Sequence, residues 1–275
     1  MLGGRTRLVG IVNATPDSFF EGGRTFDADA AVALGERLVE EGADWLDVGG
    51  ESTRPGAEEV PGEEEMRRVL PVIERLARAL PVPISVDTRK ASVAEAALDA
   101  GAWLVNDVSG GRHDPRLAPL LARRGAPLVV NHLRGDPRTM QREPRYDDPV
   151  VEIGSELRRR LRELEERGLD PSRTVVDPGI GFGKRPEDNL AILRRLPELR
   201  ALGRPILVGP SRKSFLAAVL GGRPPEGRLF GTAAAVAAAA AAGAEAVRVH
   251  DVAAMRDVVL VAGAIAREGG GPWAG

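Results

Sequence analysis

Residues 8–13, Leu-Val-Gly-Ile-Val-Asn, decide how this chain is read: a short apolar run rich in β-branched residues stops on a side-chain amide. Five such residues make a buried strand, and a polar residue closing the run marks where that strand leaves the core. The design recurs at Trp103–Val105, closed by Asn106, and at Leu128–Val130, closed by Asn131. Asparagine and lysine are scarce, four and three residues respectively, against a large excess of arginine. Lys90, Lys184 and Lys213 each follow an apolar run too. Scarce residues kept where strands end point to a site at those ends.

Outward from this stretch, apolar runs alternate with amphipathic ones, the pattern of repeated βα units on a parallel sheet. Strands are expected near 7–12, 44–48, 83–87, 103–106, 127–131, 174–177, 205–209 and 246–250. Between them, Ile153, Leu157, Leu161 and Leu164 recur at helical spacing, leaving Arg158, Arg159, Arg162 and Glu165 toward water, and Gly168 ends that helix. Ala233–Ala242 reads as a helix whose small side chains allow close packing on the barrel or on another subunit. An open doubly wound sheet would gather its ligand residues at one switch point, whereas polar residues follow all eight candidate strands here. A closed (β/α)8 TIM barrel of the α/β class accounts for that distribution better, and it places the chemistry at the C-terminal ends of the strands. With 275 residues and no long polar linker, the chain is expected to form a single domain over 1–275.

Composition excludes several function classes. Basic and acidic residues number 38 and 40, so neither a nucleic-acid nor a membrane partner is implied. The absence of cysteine removes disulfides, thiolate metal sites and a cysteine nucleophile. No apolar run approaches the ~18 residues of a membrane span, and the start is too short and polar before Leu8 for a signal peptide, so a cytoplasmic protein is expected. His113, His132 and His250 follow different strands and include no close pair, which gives a zinc site little support.

Asp87, Asn106 and Asp177 sit at strand termini, from which they would point into the barrel mouth. Carboxylates and an amide converging in an apolar pocket complement a flat ligand with adjacent donors, such as an amidine or a 2-amino-pyrimidinone. The competing reading has Asp87 and Asp177 capping the next helix or pairing with arginine. The stretch opening at Asn13 is polar and glycine-bearing and reads as a mobile loop, with Asp17 and Glu21 as charge-stabilising candidates. Gly49–Gly56 offers Ser52, Thr53 and Arg54 to an oxyanion, or is simply a turn-rich connection. Asp177–Lys184 has neither the dinucleotide nor the P-loop glycine spacing. Gly209–Ser214 opens a helix, where anions bind readily. Arg248 and His250 share one face of the last strand, and an arginine there suits either ring stacking or phosphate.

Together, Gly10–Phe19, Asp47–Gly56, Asp177–Lys184, Ser211–Ser214 and Arg248–His250 resemble the successive signatures of dihydropteroate synthases, in that family's order and across Val9 to His250. The resemblance implies a pterin-binding barrel that joins 6-hydroxymethyl-7,8-dihydropterin pyrophosphate to p-aminobenzoate and releases pyrophosphate, as a magnesium-dependent homodimer and sulfonamide target. By the same resemblance, Asp87, Asn106, Asp177 and Lys213 hold the pterin, and Arg248 stacks on its ring. Asn13 matches the magnesium ligand, and Arg54, Arg248 and His250 hold pyrophosphate. Phe19, Thr53, Pro55, Phe182 and Ser214 surround the aminobenzoate. Asp17, Glu21, Arg54 and Lys213 take the electrostatic catalytic roles. Two departures stand out: Glu21 replaces the usual aspartate before Gly-Gly, and Asn131-His132-Leu133 replaces a Met-His-Met type of segment. The rival readings are a methyltetrahydrofolate-type pterin methyltransferase, which would not need the Ser211–Ser214 anion site, and a catalytically silent pterin-binding subunit.

Overall fold

The computed structural model describes residues 5–15, 27–52, 56–136 and 139–266. Strands and helices alternate as β1 (Arg7–Asn13), α1 (Ala28–Glu40), β2 (Trp45–Gly49), α2 (Gly62–Ala79), β3 (Ile84–Asp87), α3 (Ala91–Asp99), β4 (Leu104–Asp107), α4 (Leu117–Arg124) and β5 (Leu128–Asn131). The second half continues with α5 (Pro149–Glu166), β6 (Thr174–Asp177), α6 (Pro186–Arg194), β7 (Leu207–Val208), α7 (Ser214–Val219), α8 (Leu229–Ala241), β8 (Ala246–Val249) and α9 (Val252–Ala266). Every strand pairing is parallel, in the order β6-β5-β4-β3-β2-β1-β8-β7. A bridge between Val176 and Ile206 joins the two ends of that order, with Val176 N–H donating to the Pro205 carbonyl at 2.9 Å. The result is the (β/α)8 barrel expected from the alternation.

Seven of the eight strands fall within one residue of their expected limits, while β7 shrinks from an expected 205–209 to Leu207–Val208. Pro205 has no N–H to give to a neighbour, and Gly209-Pro210 ends pairing on the other side. The helix expected to stop at Gly168 does so: α5 ends at Glu166, and Gly168 takes φ 91°. Asp148 begins it, accepting the N–H groups of Val150 and Val151, a cap worth about 1 kcal/mol. The alanine-rich stretch lies in α8, which packs against α9.

Side-chain parity separates two cores. The strand faces turned to the helices join them in one large apolar cluster, which includes Leu46, Val86, Val105, Leu128, Val176 and Val247. The alternate residues Val9, Trp45, Leu104, Val129, Leu207 and Ala246 form a separate cluster with Val175 inside the barrel. Because strand side chains alternate with period two, the next inward residues after Trp45, Leu104, Val175 and Ala246 are Asp47, Asn106, Asp177 and Arg248. An apolar plug therefore carries a polar storey at the C-terminal ends of the strands.

Candidate active site

Asp47 lies at the centre of that storey. Although only 1% exposed, its carboxylate accepts hydrogen bonds from Ser85 Oγ at 2.5 Å, Asn106 Nδ2 at 2.9 Å and Arg248 Nε at 2.5 Å. The Arg248 guanidinium also reaches Asp87 through Nη2 at 3.0 Å. Strands β2, β3, β4 and β8 thus meet through one arginine and two carboxylates. Burial pushes Asp87 up to about 7, against the pull of Arg248, and the neighbouring Asp47 adds to the rise. Burial alone would lower Arg248, but Asp47 and Asp87 together raise it, so the guanidinium stays charged.

Asp177 ends β6 and accepts the Gly179 N–H at 2.7 Å. Burial raises its pKa, and the Lys213 ammonium partly offsets this. Lys213, in turn, is lowered by burial to about 8, opposed by Asp177, and it feels both Arg248 and Asp87. These mutual fields place the two clusters in one mouth. Lys213 Nζ donates to the Ile180 carbonyl and lies 4.2 Å from the centre of the Phe182 ring, close enough for cation–π attraction.

The connection carrying Phe182 is tightly specified. Gly179, Gly181 and Gly183 take φ values of 71°, 82° and 61°, a region that favours glycine. A Cβ on Gly179 would stand 1.9 Å from the His132 carbonyl oxygen, so glycine is also required sterically. The Gly181 N–H donates to Asn189 Oδ1 at 2.6 Å, Gln141 donates to the Gly181 carbonyl at 2.7 Å, and the Tyr146 hydroxyl donates to that of Gly183 at 2.9 Å. Lys184 is 3% exposed; its Nζ donates to the Phe182 carbonyl at 2.9 Å and lies 3.0 Å from His132 Nδ1. Burial lowers Lys184 to about 7 and His132 to about 4. A neutral His132 accepting from Lys184 at Nδ1 carries its proton on Nε2, which then donates to Glu156 at 2.9 Å. That bond, with help from Arg134, holds Glu156 down at about 2.

After β7 and β8 the chain is cross-linked again. Ser211 Oγ accepts the His250 N–H at 3.2 Å and lies 2.9 Å from His250 Nδ1. Arg212 has φ 57°, in the left-handed region, which costs a non-glycine residue about 1–3 kcal/mol. Ser214 begins α7, a helix of six residues.

Among the residues singled out from sequence, Asp87, Asn106 and Arg248 are joined through Asp47, and Asp177, Lys213 and Phe182 lie beside them. His250 is bonded to Ser211, and Asn13 ends β1 in register with Gly49. Asp17, Phe19, Glu21, Thr53, Arg54 and Pro55 lie outside the described residues. Lys90, known from sequence only by position, is committed to Glu51 and Glu65. Sequence reasoning missed Asp47 and Ser85, which sit inside strands, although the parity of Trp45-Leu46-Asp47 carries a signal for the first. The three histidines occupy separate surroundings: His113 beside Arg89, His132 beside Lys184, and His250 beside Ser211.

Fold and mouth together define a (β/α)8 barrel whose acid, amide and cationic groups converge at the C-terminal ends of the strands. The family model described as pterin binding enzyme matches residues 9–250. The chain is 44% identical to the dihydropteroate synthase of Synechocystis over 96% of its own length and 92% of that protein. It superposes with a TM-score of 0.89 on the Xanthomonas albilineans dihydropteroate synthase solved with 4-aminobenzoic acid, at 49% identity over 95% of this chain and 93% of that one. The Yersinia pestis dihydropteroate synthase in a sulfonamide drug complex gives a TM-score of 0.90 at 39% identity, over 95% and 94% of the two chains. The chain belongs to the pterin-binding enzyme family.

Proposed function

We infer that the barrel catalyses the dihydropteroate synthase reaction, a transfer that joins 6-hydroxymethyl-7,8-dihydropterin pyrophosphate to p-aminobenzoate with loss of pyrophosphate. The observation that carries this reading is the polar storey formed by Asp47, Asp87, Asn106, Asp177, Lys213 and Arg248 above the apolar plug. A pterin edge presents adjacent ring and exocyclic N–H donors together with carbonyl and imine acceptors. Buried carboxylates answer the donors, while Asn106 and Lys213 answer the acceptors. Arg248, shared by Asp47 and Asp87, is the guanidinium we assign to the ring face and to offsetting charge on the departing group.

The chemistry forms a bond between the amine nitrogen of the aminobenzoate and the pterin methylene carbon, and breaks that carbon's bond to pyrophosphate. The nitrogen loses a proton afterwards. No strong base is needed, because the amine attacks as a neutral nucleophile and the leaving group carries its own charge. Arg54, Arg248 and His250 hold the pyrophosphate, Asp87, Asn106, Asp177 and Lys213 fix the pterin, and Phe182 and Ser214 border the aminobenzoate. Asp17, Glu21 and Arg54 keep the charge-stabilising roles, and Phe19, Thr53 and Pro55 the ring-enclosing ones, that their motif positions suggest. A cavity of about 250 Å³, lined in part by Ser214, Phe215, Gln141 and Lys184, opens next to that end of the mouth.

Magnesium fits a limited role. Among the described residues, no group of three histidine, cysteine, aspartate or glutamate side chains could hold a metal. The amide oxygen of Asn13 is a single hard donor, suited to an ion that keeps its waters and arrives with pyrophosphate. Bound there, magnesium would supply charge neutralisation on the leaving group. Phe230, Val219 and Ile265 are 82%, 61% and 78% exposed on α8, α7 and α9, and these large apolar side chains in the open are what supports a homodimer through the later helices. We place the protein in the cytoplasm as one domain. Among the described residues no helix is long and apolar enough to cross a membrane.

The purified protein, mixed with magnesium, the pterin pyrophosphate and p-aminobenzoate, is expected to release pyrophosphate and dihydropteroate in equal amounts. Binding of both substrates by folded protein without product would overturn the assignment in favour of a non-catalytic pterin-binding subunit.

A further inference from the structure

Arg212 stands between two residues of the mouth, and its own bonds run to Thr232, Arg228 and Asp251. Its left-handed backbone reverses the chain between Ser211, which faces His250, and Lys213, which turns into the mouth. Left-handed geometry in an arginine survives only where the surroundings over-determine it. Here every polar group of the residue is held by a different element. The N–H donates to Thr232 Oγ1 of α8 at 3.0 Å, and Thr232 is fully buried. The carbonyl accepts from Arg228 Nη1, just before α8, at 2.7 Å. The guanidinium makes a two-pronged bond to Asp251, at 3.0 Å from Nε to Oδ2 and 2.5 Å from Nη2 to Oδ1. A planar fork of this kind fixes orientation as well as distance.

We propose that Arg212 is a positioning residue: clamped by Asp251, Thr232 and Arg228, it locks the chain reversal that delivers Lys213 to the pterin and holds Ser211 against His250. Asp251 follows His250 directly, so the clamp also fixes the segment after β8 relative to the segment after β7. The Lys213 ammonium and the His250 ring therefore keep one relative placement. A purely structural ion pair would serve the fold without regard to that placement. This inference rests on the reading of the mouth as a dihydropteroate synthase site.

Arg212→Gly separates the two roles, because glycine adopts the left-handed backbone freely but has no fork. Loss of strain then compensates for loss of the ion pair, and the melting temperature is expected to stay within about 2 °C of the parent, a small shift for a domain of this size. The rate per active site at saturating substrates should nevertheless fall about ten- to a hundredfold, as misplacement of a reacting group by a fraction of an ångström does. Affinity for the pterin pyrophosphate, measured by calorimetry, should weaken in parallel. Asp251→Asn should reproduce both losses, and the double variant should be no worse than either single one, because both remove one interaction. Rates and affinities per folded site equal to the parent, or losses that multiply in the double variant, would overturn the proposal. If the parent binds pterin pyrophosphate but makes no product, the functional reading fails alone, and the affinities still decide the role of Arg212.

Discussion

Asp47 and Arg248 are 201 positions apart in the chain and 2.5 Å apart in the barrel. Their contact joins the second strand to the last across the mouth, and Asp47 meets it with two further hydrogen bonds, from Ser85 and Asn106. Replacing Asp47 by alanine leaves Arg248 with Asp87 only and removes an acceptor from two buried donors. Breaking a buried pair from one side costs about 3–5 kcal/mol. Asp47→Ala is therefore expected to melt several degrees below the parent and to bind pterin weakly, by calorimetry and thermal unfolding. An unchanged melting curve would show that the contact carries no stability.

Asp177→Asn tests the other cluster. The amide keeps one acceptor for the Gly179 N–H, yet it removes the carboxylate that faces Lys213. Pterin affinity should fall by about tenfold or more, the scale of a charge-assisted bond, while aminobenzoate affinity in the presence of pyrophosphate changes far less. Equal pterin affinity in variant and parent would defeat the assignment.

The pH dependence follows from Asp87. Two carboxylates share one guanidinium in a buried place, and the folded protein raises Asp87 from 3.8 to about 7. A raised folded value means that the native state holds the proton more tightly than the unfolded chain. Its contribution is thus fully present below the unfolded value and is lost as pH rises through the folded one. The parent should lose stability relative to Asp87→Asn as pH climbs between these limits, and the difference should level off above about 7. Denaturant titrations across that range would measure the slope, and a slope of opposite sign would refute the assignment.

Gly179→Ala places a methyl group against the His132 carbonyl at a backbone angle that alanine adopts only under strain. A loss of about 2 kcal/mol or more is expected from strain and displacement together. Since Phe182 lies in the same connection, the Michaelis constant for aminobenzoate should rise. The parent value of that constant in a folded variant would show that the turn does not set the position of Phe182.

Much of this architecture is legible in the sequence, and the reasons are local. Runs such as Leu8–Val12 closed by Asn13 are buried strands with a polar end, and seven of the eight strands begin and end within one residue of such a run. Strand β7 is shorter than its apolar run because Pro205 and Gly209 prolong the run in composition but cannot prolong the pairing in the sheet. Asp47 is harder to read for the opposite reason: it lies within an apolar run, and its partners Ser85, Asn106 and Arg248 come from three other strands. Lys184 and Arg212 are visible only through partners contributed by distant segments, His132 for the first and Thr232 and Asp251 for the second. No spacing within one motif encodes such contacts.

The two-storey interior bears on how this chain can change over generations. Removing a single residue between Trp45 and Asp47 would turn the aspartate out among the helices, and the same holds between Leu104 and Asn106 or Ala246 and Arg248. Substitution can tune the mouth one group at a time, but a frame of one residue in any of these strands is unforgiving. Changes of length are left to the surface connections, so descendants of this sequence should differ in their loops while keeping strand spacing fixed.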